Sequence, residues 1–173
     1  MSESLKKKIG IPIATIASAL LLMAPAIITT GAFAVSPHFT KGPTLEADGK
    51  TITVSGKGAG FGNAPTSAFI TADVTQDFRC RNPGGNFAPG HAEVTESQVS
   101  PREPIAVRNG QITFSVSLTA EQPEAPTPQE ANCPNGNWDV VPVSPLTISN
   151  IQLHIQQNGQ DLLSHTFPDV IDP

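Results

Sequence analysis

Two cysteines, Cys80 and Cys133, and four histidines, His38, His91, His154 and His165, are the thiol and imidazole groups of this 173-residue chain. Thiols this far apart in sequence either close a disulfide or hold a metal or redox centre. The C-x-x-C spacing of redox and zinc sites is missing, so the pair is read as one structural disulfide. Closing a loop of about fifty residues stabilises a fold by about 4 kcal/mol in the chain-entropy account, less any native strain. His154 and His165 flank Asn158-Gly159. A two-residue turn there pairs position 154 with 163 and 152 with 165, which sets both imidazoles on one face within diagonal reach. Two imidazoles begin a metal site, but Gln152, Gln156 and Leu163 are the other neighbours and supply no third strong ligand.

Each cysteine is followed by a turn rich in Asn, Gly and Pro. These turns gather Asn82, Asn86, Asn135, Asn137 and Asp139. Such oxygens suit a hydrogen-bonding rim. As a calcium site the set is poor in carboxylates, because Asp139 alone is close and Asp77 is the one addition. The plainer role of these amides is to cap the turns that carry them. Trp138, the single tryptophan, lies five residues after Cys133 and is expected to pack on the disulfide or the core. A sugar-stacking platform would need more aromatic partners than Phe61 and Phe87. The run Gly56-Lys57-Gly58-Ala59-Gly60-Phe61-Gly62 lacks the spacing and the following helix of a phosphate loop, so its glycines are assigned to close backbone packing. There is no G-x-S-x-G elbow, no H-E-x-x-H and no free nucleophilic cysteine. A copper oxygenase needs an N-terminal His, whereas cleavage of the leader described next starts the chain at Val35, with His38 three residues in. The chain is therefore expected not to be an enzyme, and the sequence implies no cofactor.

Lys6, Lys7 and Lys8, the apolar stretch from Ile9 to Ile28 and the site Ala32-Phe33-Ala34 follow the order of an export signal. Residues 1–34 are read as a cleaved signal peptide, 35–43 as an N-terminal extension and 44–173 as one domain. The alternative of a retained anchor is weakened by Pro12 and Pro25 within the apolar stretch. Three of the ten basic and one of the fifteen acidic residues lie in the leader, so the remainder carries a formal charge of −7. That balance, with scattered Lys and Arg, argues against a nucleic-acid partner. An exported chain also meets an oxidising compartment, which fits the disulfide.

The elements that must position these groups are strands. Ile112, Phe114, Val116 and Leu118 alternate with Thr113, Ser115 and Ser117, as a strand with one buried and one wet face requires. The same period of two appears at Thr51 to Ser55, Ala68 to Thr75 and Ile151 to Ile155. Asp48-Gly49, Asn109-Gly110 and Asn158-Gly159 each supply the positive φ angles of tight turns, and three hairpins follow. The expected fold is all-β: seven or so strands in an immunoglobulin-like or related two-sheet sandwich, with the cysteines in loops at one end.

The segments Cys80-Arg81-Asn82-Pro83-Gly84-Gly85-Asn86, Ala88-Pro89-Gly90 and Cys133-Pro134-Asn135-Gly136-Asn137-Trp138 carry a resemblance. With Gly58 to Asn63 and the Leu162 to Phe167 strand, the chain resembles a family of small secreted proteins of unassigned function, mainly of actinobacterial type. The resemblance implies the fold and the disulfide, and no chemistry. The expected function is that of a secreted binding module for an extracellular or cell-envelope ligand, without a membrane attachment after cleavage. The alternatives are a self-assembling envelope component that pairs through strand edges, and a metal-binding secreted domain.

Overall fold

The computed structural model describes residues 36–171, so the leader read at 1–34 lies outside the described residues. The chain runs β1 (His38–Asp48), β2 (Thr51–Ala59), β3 (Thr66–Arg81), β4 (Phe87–Val99) and β5 (Glu103–Ile105). It continues through β6 (Gln111–Thr119), β7 (Asp139–Pro142), β8 (Thr147–Gln157), β9 (Gln160–Thr166) and β10 (Val170–Ile171). All pairings between these strands are antiparallel, in two sheets. The smaller sheet has the order β1-β2-β6. In the larger one β3 is central, with β4 and β5 end to end along one side and β8 and β7 along the other; β9 and β10 flank the outer side of β8.

Alternation builds the core. Ile52 and Val54 of β2 and Ile112, Phe114, Val116 and Leu118 of β6 turn inward from the small sheet. They meet Ala68, Ile70, Ala72 and Val74 of β3 and Ile148, Ile151, Leu153 and Ile155 of β8. The inward set on β8 shifts phase between Ile148 and Ile151 because the register slips there. Asn150 occupies the slip at φ 50°, and its side-chain amide donates to Asp73 Oδ2 at 2.8 Å. An extra residue in one strand is a bulge, and Asn tolerates the left-handed conformation it imposes. The glycine run is explained by contact. Gly56 pairs with Phe114, whose ring would come within 2.7 Å of a Cβ at that position. At Gly60, with φ 83°, an added Cβ would clash with the Ser36 carbonyl.

The sandwich with a single Cys80–Cys133 disulfide is thus present, with four differences from expectation. The described residues form ten strands, the short β5, β7 and β10 among them. β1 begins at His38, so residues 38–43 belong to the sandwich and not to an extension. Asn109-Gly110 forms a tight turn closed by a bridge between Arg108 and Gln111, but it carries the chain from one sheet to the other and makes no hairpin. Lastly, Cys80 is not in a loop: β3 continues through Phe78 and Cys80, both fully buried, to Arg81.

The far half of β3 has no second sheet over it. The Ala120–Pro134 segment provides a cover instead, with Pro123 and Ala131 buried. Gln98 pins this segment through two bonds to the Glu121 main chain, donating from Nε2 at 2.7 Å and accepting on Oε1 at 2.9 Å. Glu96 Oε1 accepts from the Glu124 N–H at 3.1 Å. Thr127 and Glu130 then close a reciprocal cap around one helical turn, with the Glu130 carboxylate accepting from Thr127 N and Oγ1 at 2.8 and 2.7 Å. These bonds hold the Glu130 carboxyl below the ordinary glutamate value. The turn delivers Cys133 to Cys80, at a Cα separation of 5.6 Å.

Candidate functional site

The disulfide end of the large sheet gathers most of the residues singled out from sequence. Its inner face is a small second core of Cys80, Ala88 and Ala131, against which Ala92, Cys133, Trp138 and Val140 pack. Trp138 therefore packs against the small core that contains Cys80. The turn after β3 is closed by Asn82: its N–H donates to the Asn86 carbonyl, its carbonyl accepts from Gly85, and its Oδ1 accepts from the Asn86 N–H at 2.9 Å. Asn135 Oδ1 accepts from the Asn137 N–H at 3.0 Å. Two of the four rim asparagines thus cap turns with their side-chain oxygens. Asn86, Asn137 and Asp139 are exposed. Register brings both turns to the same place, since Arg81 at the end of β3 pairs with Phe87 on one side and Asp139 on the other. Among the described residues no cluster of three or more His, Cys, Asp or Glu converges to hold a metal.

On the outer face of this end the same pairing sets out a different group of side chains, which sequence reasoning missed. Arg79 lies between His91 and Val141, and Arg81 between Phe87 and Asp139. Phe87 is 52% exposed and Val143 is 42% exposed. The Arg79 guanidinium sits 5.4 Å from the Phe87 ring centroid, within cation–π range. Among the described residues no carboxylate lies within 4.0 Å of Arg79 or Arg81. A shallow depression of about 350 Å³, lined by Asp77, Phe78, Arg79, Gly90, His91 and Val143, adjoins them. The signal was present in the alternation of Arg79, Cys80 and Arg81, had β3 been extended past Gln76. Gln76 is an inward polar residue that broke the apolar pattern; it is buried because its amide donates to the Ser144 carbonyl at 2.7 Å.

The paired-histidine reading is corrected by a bulge. Ile155 pairs with Leu163 but Gln156 pairs with Asp161, leaving Leu162 as an extra residue in β9. The slip moves His165 opposite Leu153 and His154 opposite Ser164, so the two imidazoles are on opposite faces. His165 lies edge-on to Phe39 and Phe167, beside the core. His154 stacks on Phe69 at 4.8 Å on the outer face. Its Nε2 is 3.1 Å from Thr71 Oγ1 and its Nδ1 is 3.4 Å from Asp161 Oδ2. The three groups lie in a row, but His154 Nδ1 makes no hydrogen bond and the row is not a connected relay. Thr71 itself lies within β3, paired to β4 on one side and to β8 on the other. Compared with known families, curated proteins and solved structures, the chain matches none.

Proposed function

We propose that the protein is a secreted, non-enzymatic binding module, related to immunoglobulin-like sandwiches, that recognises an extracellular or cell-envelope ligand at its disulfide end. The observation that carries this reading is the exposed Phe87 with the Arg79 guanidinium against it, beside Arg81 and Val143, on a sheet stapled from beneath. Exposed aromatic and Arg side chains on a rigid support are the residue types that dominate binding energetics. The exposed amides of Asn86 and Asn137 extend the same rim with hydrogen-bonding groups. The disulfide fits an oxidising compartment, and no helix among the described residues is long and apolar enough to cross a membrane.

Co-sedimentation of the purified protein with isolated envelope fragments tests the reading. Phe87→Ala and Arg79→Ala are expected to weaken binding about tenfold or more each without lowering thermal stability. Asn82→Ala is expected to do the reverse, lowering the melting temperature through loss of a turn cap while leaving binding intact. Gln160→Ala, in the β8–β9 turn at the opposite end of the sheet, serves as the neutral comparison. Folded Phe87→Ala and Arg79→Ala proteins that bind like the parent would reject the disulfide end as the recognition surface.

A further inference from the structure

We infer that β6 is the interface of a closed, two-fold symmetric dimer, in which two copies pair their β6 strands antiparallel about Val116 and join their small sheets into one. The inference is independent of the ligand reading above, because β6 lies in the other sheet.

The first argument is the state of the edge. Among the described residues β6 pairs with β2 alone. Ala120 N donates to the Lys50 carbonyl and the Gly110 carbonyl accepts from Phe61 N, so the even-numbered residues direct their main-chain groups toward β2. By alternation, Thr113, Ser115, Ser117 and Thr119 direct their N–H and C=O groups away from it. Open grooves of about 530 Å³ and 350 Å³ border this edge, the first against Ser117 to Thr119 and the second against Gln111 to Thr113. A free edge is a template for another strand, and proteins blunt such edges with charge, proline, bulges or a cover. β1 has Lys41, Pro43 and two register shifts; β9 has Asp161 and a bulge; β4 is clamped by the Glu121–Glu124 segment. β6 has none of these devices. Its nine residues alternate strictly between exposed and buried, with no charge, no proline and no irregularity in the register.

The second argument identifies the occupant. Thr113-Phe114-Ser115-Val116-Ser117-Leu118-Thr119 reads nearly the same in both directions about Val116. An isologous antiparallel pair centred there sets Ser115 opposite Ser117 of the second copy, Thr113 opposite Thr119, and Phe114 opposite Leu118. The residues with free main-chain groups then fall in hydrogen-bonded pairs, and their side chains line one face as hydroxyl against hydroxyl. That pattern already runs across the small sheet, where Thr51 meets Thr119 at 3.0 Å, Thr53 meets Ser117 at 2.8 Å and Thr44 meets Ser55 at 3.2 Å. The dimer continues an existing ladder, and the paired segment itself carries no charged residue. Because the dyad uses up the edge, association stops at two copies.

Sedimentation equilibrium of the purified, disulfide-bonded protein is the test. The parent is expected to show a reversible monomer–dimer equilibrium with no larger species. Ser115→Lys combined with Ser117→Lys places like charges opposite each other twice across the dyad and is expected to weaken the dimer at least about tenfold. Ser115→Lys combined with Ser117→Glu carries the same number of substitutions but sets opposite charges across the dyad, and is expected to restore dimerisation. A parent that stays monomeric at millimolar concentration, an open polymer, or a dimer indifferent to the double lysine change would each overturn the inference. Loss in the double lysine protein without recovery in the lysine–glutamate protein would overturn the register about Val116.

Discussion

Phe114 joins several parts of the small sheet at once: it lies over Gly56, its ring is 6.2 Å from that of Phe39, and it is 4% exposed. Truncation to Ala leaves a cavity over a glycine that cannot fill it, and is expected to cost about 3 to 5 kcal/mol. Thr113→Ala, one residue away on the wet face, is expected to change stability by less than about 0.5 kcal/mol in dilute protein. Urea unfolding of the two variants checks both, and a Phe114→Ala midpoint unchanged from the parent would mean that the faces of β6 are reversed. Asp73 gives the surface a pH-dependent part. Ser97 Oγ donates to its Oδ1 at 2.6 Å and Asn150 Nδ2 to its Oδ2 at 2.8 Å, and these bonds, the Ser97 one foremost, hold its carboxyl below the ordinary aspartate value. A carboxyl depressed in the folded state contributes stability that is complete above its unfolded value and lost as pH falls through the folded value. Asp73→Asn is therefore expected to lower the urea midpoint at neutral pH, and to converge with the parent below the ordinary aspartate range. A gap between the two that is constant down to acid pH would exclude this contribution.

At the scale of elements, the disulfide joins a strand to a cover segment. Bridging residues 53 apart in sequence limits the unfolded chain, so reduction is expected to remove about 4 kcal/mol in the chain-entropy model. Its local effect is release of the Ala120–Pro134 cover, and with it of Trp138. Reduction is expected to shift Trp138 emission to longer wavelength before the sandwich unfolds, whereas an unchanged spectrum would place the ring elsewhere. The same elements show what the sequence discloses. Strict alternation made β6 and the Ile70 to Val74 part of β3 legible, and Asn158-Gly159 announced the β8–β9 hairpin. The Leu162 bulge was not legible, because a bulge is set by how the two strands pack and not by the two residues of their turn. One extra residue was enough to separate His154 from His165. Thr127-Pro128-Gln129-Glu130 carried a capping-box pattern, yet a single turn is too short to produce a helical period.

For the molecule as a whole, the period of two and the turn residues led to a sandwich, while the partition of strands between sheets depended on contacts far apart in sequence. Asn109-Gly110 looks like any hairpin turn; only the identity of the strand that β6 joins, β2, shows that it is a crossing. The surface proposed for recognition was legible as to its end and not its face. The cysteines located the end, but Phe87 and Arg79 meet only because β4 pairs with a β3 that continues past Gln76. β3 has one more consequence. Its sixteen residues are bordered by β4 and β5 on one side and by β7 and β8 on the other. A chain made from its N-terminus exposes β3 early, but Thr66 must wait for Gln157, ninety-one residues later, to complete its second edge. Until then the central strand is an open seam with apolar side chains on one face, in a chain that folds slowly because its contacts are distant. The time between synthesis of β3 and arrival of β8 is the interval in which a holding chaperone would protect this protein, and in which a ribosome-stalled or truncated chain would aggregate.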